Sequence, residues 1–141
     1  MKSQNLLSYG PVTANGLTFT VTSDGRLHAE GVASTAHKGA EWDQPIIGAI
    51  RGKPVTFSVP TAPSGCYAYV HIVGDGGADL GNITSGQTVL IPETATHLKL
   101  RVAPNAASAI DGYLQAQLEL GDSATAWVRP DDTNHPGGAM N

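Results

Sequence analysis

Residues 16–31 read GLTFTVTSDGRLHAEG, with apolar and polar side chains alternating on both sides of a Ser-Asp-Gly break. Leu17, Phe19 and Val21 share one face, with Thr18, Thr20 and Thr22 on the other. After the break, Leu27, Ala29 and Gly31 oppose Arg26, His28 and Glu30. A period of two is the repeat of a half-buried strand, and a tight turn between two such runs predicts an antiparallel hairpin. A helix cannot use this pattern, because residues two apart fall on opposite sides of it. The period returns at Val55, Phe57 and Val59, and at residues 66–73, 88–91, 97–102 and 113–120.

Proline and glycine clusters separate these runs roughly every eight to twelve residues, the spacing of a sandwich or barrel. The segment 34–52, anchored by Trp42, Ile46, Ile47 and Ile50, is expected to be irregular or to hold a short strand. Residues 124–128 read as a brief final strand carrying Trp127, ended by Pro130. The expectation is an all-β chain: a single jelly-roll β-sandwich of about eight antiparallel strands over residues 1–130. A Pro/Gly-rich tail, DDTNHPGGAMN at 131–141, follows it.

At 141 residues the chain suits one domain, which buries about two-thirds of its unfolded surface. Charged residues are 14% of the total, against roughly 25% in an average soluble protein. The net charge is −4 and no basic cluster is present, so nucleic acid is excluded as the main partner. The single cysteine, Cys66, cannot form an internal disulfide. It shares a strand face with Ala68, Val70 and Ile72 and reads as a small buried hydrophobe. The N-terminus lacks the apolar core of a Sec-type signal, and no run reaches the ~18 apolar residues of a membrane span. Synthesis in a cytoplasm without membrane insertion is expected.

The polar faces carry the candidate sites. Tyr67, Tyr69 and His71 line one face of their strand, and Tyr113, Gln115 and Gln117 another. Sugar rings offer an apolar C–H face and a hydroxyl rim, so flat aromatics with amide and imidazole partners suit a glycan. These six residues are the candidate glycan set, with packing into a second layer as the structural alternative. The five histidines show no metal-ligand spacing, so no metal or cofactor is expected. Asp75, Asp79 and Asn82 in GDGGADLGN are a weak calcium candidate that departs from the EF-hand pattern. His97, Lys99, Arg101 and Glu119 read as solvated cross-strand charge pairs. Ser123 in GDS lacks the strand-turn-helix context and the local base of a nucleophile, so the chain is expected not to be an enzyme.

The ends carry a family resemblance. NLL at residues 5–7, the hairpin GLTFTVTSDG at 16–25 and the closing QLELGDSATAWVRP at 117–130 resemble a recurrent module of bacteriophage tail and virion-surface proteins, described as carbohydrate-binding-like or galactose-binding-like jelly rolls. The resemblance covers both ends of the domain and leaves its middle unmatched. It implies a non-enzymatic virion structural protein on the particle surface, in the tail or on the capsid, which binds other virion subunits and a host-surface glycan. The alternatives are a capsid decoration or fibre protein that only stabilises the particle, and a glycan-binding accessory module of a bacterial enzyme. A homo-oligomer is expected, a trimer by the same resemblance, with the tail after Pro130 lying along a neighbouring subunit.

Overall fold

A computed structural model describes residues 4–141. The chain opens with β1 (Val12–Ala14), β2 (Leu17–Val21) and β3 (Leu27–Val32), a meander of antiparallel neighbours. Asn15 and Gly16 join β1 to β2 with φ of 52° and 86°, the left-handed pair that a two-residue hairpin turn requires. The chain then crosses to β4 (Ala40–Asp43), makes one helical turn α1 (Ile47–Ile50), and returns in β5 (Pro54–Thr61). β6 (Cys66–Gly74), β7 (Asp79–Ile83), β8 (Gln87–Leu90), β9 (Ala95–Pro104) and β10 (Ala109–Leu120) follow, and β11 (Gly138–Ala139) comes last.

Two sheets result, ordered β1-β2-β3-β10-β5-β8 and β11-β4-β9-β6-β7. From β3 to β10 the chain weaves between them so that β3-β10-β5-β8 faces β4-β9-β6-β7. That is the double Greek key of a jelly roll. The all-β jelly-roll sandwich read from the sequence is therefore the observed fold. β1 and β2 extend the first sheet, and β11 adds an edge to the second.

The alternation places the core as expected. Leu17, Phe19, Leu27 and Ala29 face Trp42, Val70, Ile72, Leu98 and Leu100 across the sandwich, and all are buried. The edge of one ring in the Phe19–Trp42 pair meets the face of the other, with centroids 5.4 Å apart at 88°. Cys66 is buried with Ala68, and burial pushes its thiol above the ordinary value.

The segment 34–52 holds a short strand, one of the two alternatives read from the sequence: β4, whose Ala40 and Trp42 both point inward over only four residues. The structure departs from the sequence expectations in three places. The loop GDGGADLGN contains β7, which pairs with β6 across a bulge between His71 and Val73. Residues 124–128 are not a strand; they run over the outer face of β10. Leu120, which the alternation over 113–120 puts on the inward face with Leu114 and Leu118, is 52% exposed, whereas its neighbour Glu119 is buried.

The last departure follows from how the two ends interlock. Asn5 donates from Nδ2 to Ala116 O (2.8 Å) and Val128 O (2.9 Å), while its Oδ1 accepts from the backbone N–H of Leu7 and Leu118. Trp127 Nε1 donates to the same Ala116 carbonyl at 3.0 Å. This carbonyl lies where β10 shifts register against β5, between Gln115 and Gln117. The return segment then covers Gln117 and Glu119. Gln117 gives its Nε2 to Glu119 and Thr125 and accepts from Val128 N–H at 2.8 Å. Thr125 donates its backbone N–H and its hydroxyl to Glu119. Burial alone would raise the Glu119 pKa, but these hydrogen bonds outweigh it and hold the carboxyl below its ordinary value.

The tail lies along its own sandwich. Asp132 bridges Ser8 and accepts from Tyr9 N–H, His135 N–H donates back to Tyr9 O, and β11 pairs with β4. Met140 is buried, and Asn15 Nδ2 holds both Gly39 O and Met140 O. The order of residues 131–141 therefore needs no neighbouring subunit, because the unpaired edge of β4 supplies the partners. No helix among the described residues is long and apolar enough to cross a membrane.

Candidate functional site

The outer face of the second sheet gathers aromatic, imidazole and charged groups. On β6, Tyr67, Tyr69 and His71 alternate with the inward Cys66, Ala68, Val70 and Ile72. The two tyrosine rings lie nearly parallel, 6.0 Å apart at 14°. The neighbouring β9 sets Arg101 across from Tyr69 and Lys99 across from His71, and β4 sets Glu41 across from Arg101. Glu41 accepts from Lys99 Nζ at 2.9 Å and from Arg101 Nε at 3.1 Å. Arg101 Nη1 lies 3.4 Å from the Tyr69 hydroxyl. Among the described residues Lys99 and Arg101 thus pair with Glu41; Glu119, with which they were grouped on sequence, lies buried on the other sheet.

The tyrosines are positioned from both sides. His37 reaches Tyr67 through a contact of 3.1 Å between Nδ1 and the hydroxyl. Burial, and then the adjoining Tyr69, push the Tyr67 phenol above its ordinary value, so it stays a neutral hydroxyl at physiological pH. Beside the pair runs a depression of about 570 Å³ lined by Tyr67, Tyr69, Asn82, Thr84 and Ser85. The depression therefore has aromatic surface on one side and amide and hydroxyl groups on the other. Such a surface can hold a flat, hydroxyl-rimmed ring.

Of the six predicted site residues, the fold brings three together. His71 joins the tyrosines, its Nδ1 at 2.7 Å from Asn82 Oδ1 and 3.8 Å from Asp79 Oδ1. Tyr113 and Gln115 lie on the first sheet instead. Tyr113 stacks on His28 (4.7 Å, 19°) and lies under the Arg26 guanidinium at 4.5 Å, so its ring contacts are internal. Gln115 accepts from Thr61. Gln117 is fully buried in the closing lock and is not accessible to a ligand.

The calcium candidate does not converge on one point. Asp79 accepts from Gly81 N–H and Asn82 faces His71, while Asp75 lines a separate cavity with Asp43 and His97. Ser123 sits in an exposed turn against Asp122. Sequence reasoning missed His37, Glu41, Thr84 and Ser85, which come from segments without alternation. Among the described residues, the one group of three His, Asp or Glu donors in mutual reach is His28, Glu30 and Asp111, on the first sheet.

No protein-family model and no curated protein sequence matches the chain. Solved structures do. A chain in the crystal structure of accessory secretory proteins 1, 2 and 3 of Streptococcus pneumoniae superposes with a TM-score of 0.60 at 13% identity, over 86% of this chain and 98% of that one. The likeness is one of fold. The N-terminal CBM22-1–CBM22-2 tandem of Paenibacillus barcinonensis Xyn10C aligns at 18% identity over 89% of this chain and 48% of its own, with a TM-score of 0.48. The CBM22-1 xylan-binding domain of the same protein aligns at 17% over 84% of this chain and 92% of its own, with a TM-score of 0.46.

Proposed function

We propose that this chain is a non-enzymatic glycan-binding module whose binding surface is the outer face of the second sheet. The observation that carries the reading is the parallel Tyr67–Tyr69 pair bordering a depression lined by Asn82, Thr84 and Ser85. In this reading the ligand is a neutral oligosaccharide laid along β6, with its C–H faces on the tyrosines and its hydroxyls toward Asn82, Thr84 and Arg101. A glycan array of bacterial and plant cell-wall oligosaccharides tests it. Wild type should bind at least one class, and Tyr67→Ala with Tyr69→Ala should lose that signal while circular dichroism stays unchanged. Uniform silence, or binding indifferent to both substitutions, would overturn it.

A second reading places the chain on a virion surface as a self-associating structural protein, a trimer by the resemblance of its ends. It rests on the resemblance carried by residues 5–7, 16–25 and 117–130, of which the first and last segments meet around Asn5. Light scattering on the purified chain and immunodetection in purified particles test it. A monomer absent from every particle would remove it.

A further inference from the structure

A second group of polar side chains converges on the outer face of the first sheet, away from the tyrosines. β3 and β10 pair with Glu30 directly across from Asp111 and His28 directly across from Tyr113. His28 Nε2 lies 2.8 Å from Asp111 Oδ1, and the donor atoms of His28, Glu30 and Asp111 all fall within 4.8 Å of one another. Like charges set directly opposite in a ladder destabilise it. Among the described residues no Lys or Arg pairs with either carboxylate. Arg26 is bound to Asp24 at 3.0 Å and covers Tyr113, and among the described residues Glu30 has no ion pair and Asp111 has only His28.

The imidazole is held in place for ligation. His28 is part-buried and stacked on Tyr113, which aims Nε2 along the strand pair toward Asp111. Ligands of a tetrahedral ion at about 2.0–2.2 Å stand roughly 3.4 Å from one another. Exposed Glu30 and Asp111 reach that spacing by rotating side chains over a backbone already in register. One nitrogen and two carboxylates suit a divalent first-row transition ion better than calcium or magnesium, which take all-oxygen shells.

We propose that His28, Glu30 and Asp111 form a binding site for a divalent transition-metal ion that clasps β3 to β10, with its remaining coordination positions open to solvent. The ion takes the Nε2 lone pair of the neutral His28 ring, whose N–H then sits on Nδ1, and its charge neutralises the Glu30–Asp111 pair. The site is independent of the glycan reading.

The test is isothermal titration of the full chain, freed of metal by chelation and dialysis, with zinc, manganese and calcium chlorides, paired with thermal melts. One zinc or manganese ion per chain is expected, together with a rise in Tm. Glu30→Gln, Asp111→Asn and His28→Asn should each weaken binding at least about tenfold, and the double variant Glu30→Gln/Asp111→Asn should lose the rise in Tm while keeping the wild-type circular dichroism. His71→Asn, His97→Asn and His135→Asn should leave the isotherm unchanged. Absence of zinc and manganese binding to wild type would overturn the proposal, as would binding that survives the three substitutions or calcium binding as tight as zinc.

Discussion

Asn5 is the residue on which closure of the sandwich depends most. Its amide reaches β10 through Ala116 and Leu118 and the return segment through Val128, so a single side chain ties the start of the domain to its end. Asn5→Ala leaves buried backbone groups without partners, each worth about 1–3 kcal/mol. Urea melts should show a loss of at least about 2 kcal/mol; a change of only a few tenths would contradict the assignment. Glu119 makes a pH-dependent contribution beside it. Its folded carboxyl titrates below the ordinary value, so its stabilisation is complete above the ordinary carboxylate pKa of about 4.3 and is lost as pH falls through the folded value. Glu119→Gln should therefore destabilise the protein clearly at pH 7 and much less at pH 3, as read by urea midpoints. A difference of equal size at both pH values would count against this account. Strand faces that depend only on local alternation were legible: Cys66 inward, Tyr67 and Tyr69 outward. Gln117 and Glu119 alternate just as well, yet both are buried, because burial there depends on a segment that folds back from later in the chain.

At the scale of elements, β11 and β4 are the informative pair. The tail has little apolar content, and nothing local in DDTNHPGGAMN predicts order. Order comes from β4, whose edge offers backbone partners, and from Trp42, against which Gly137 packs so closely that an added Cβ would lie 2.4 Å from Nε1. Gly137→Ala should lift the tail. Amide exchange in β4 should then accelerate about as much as in a chain lacking residues 131–141, with both variants still folded. Exchange unchanged in Gly137→Ala would show that the tail does not protect this edge. The sequence reading allowed a short strand within 34–52 but did not locate β4, because four residues, AEWD, are too short to display a period, and β1 escaped it although Asn15-Gly16 is a strong two-residue hairpin signal. Glu41, which pairs with Lys99 and Arg101 beside the tyrosines, lies on β4.

For the whole molecule, the two outer faces differ in what they leave available. The first sheet is partly covered by the return segment, and Tyr113 is occupied by His28 and Arg26. The second sheet keeps Tyr67 and Tyr69 beside an open depression. Three of the candidate glycan residues, Tyr67, Tyr69 and His71, share one face because β6 alternates cleanly. Tyr113, Gln115 and Gln117 lie on the other sheet, because residues from different sheets cannot be told apart by period alone. The most direct measurement is a two-dimensional ¹H–¹⁵N spectrum of the labelled chain titrated with the oligosaccharide selected on the array. Saturable shifts are expected at the amides of Tyr67, Tyr69, His71, Asn82 and Arg101, with those of Tyr113 and Gln115 unmoved. Shifts confined to the first sheet, or none at millimolar ligand, would contradict the glycan reading.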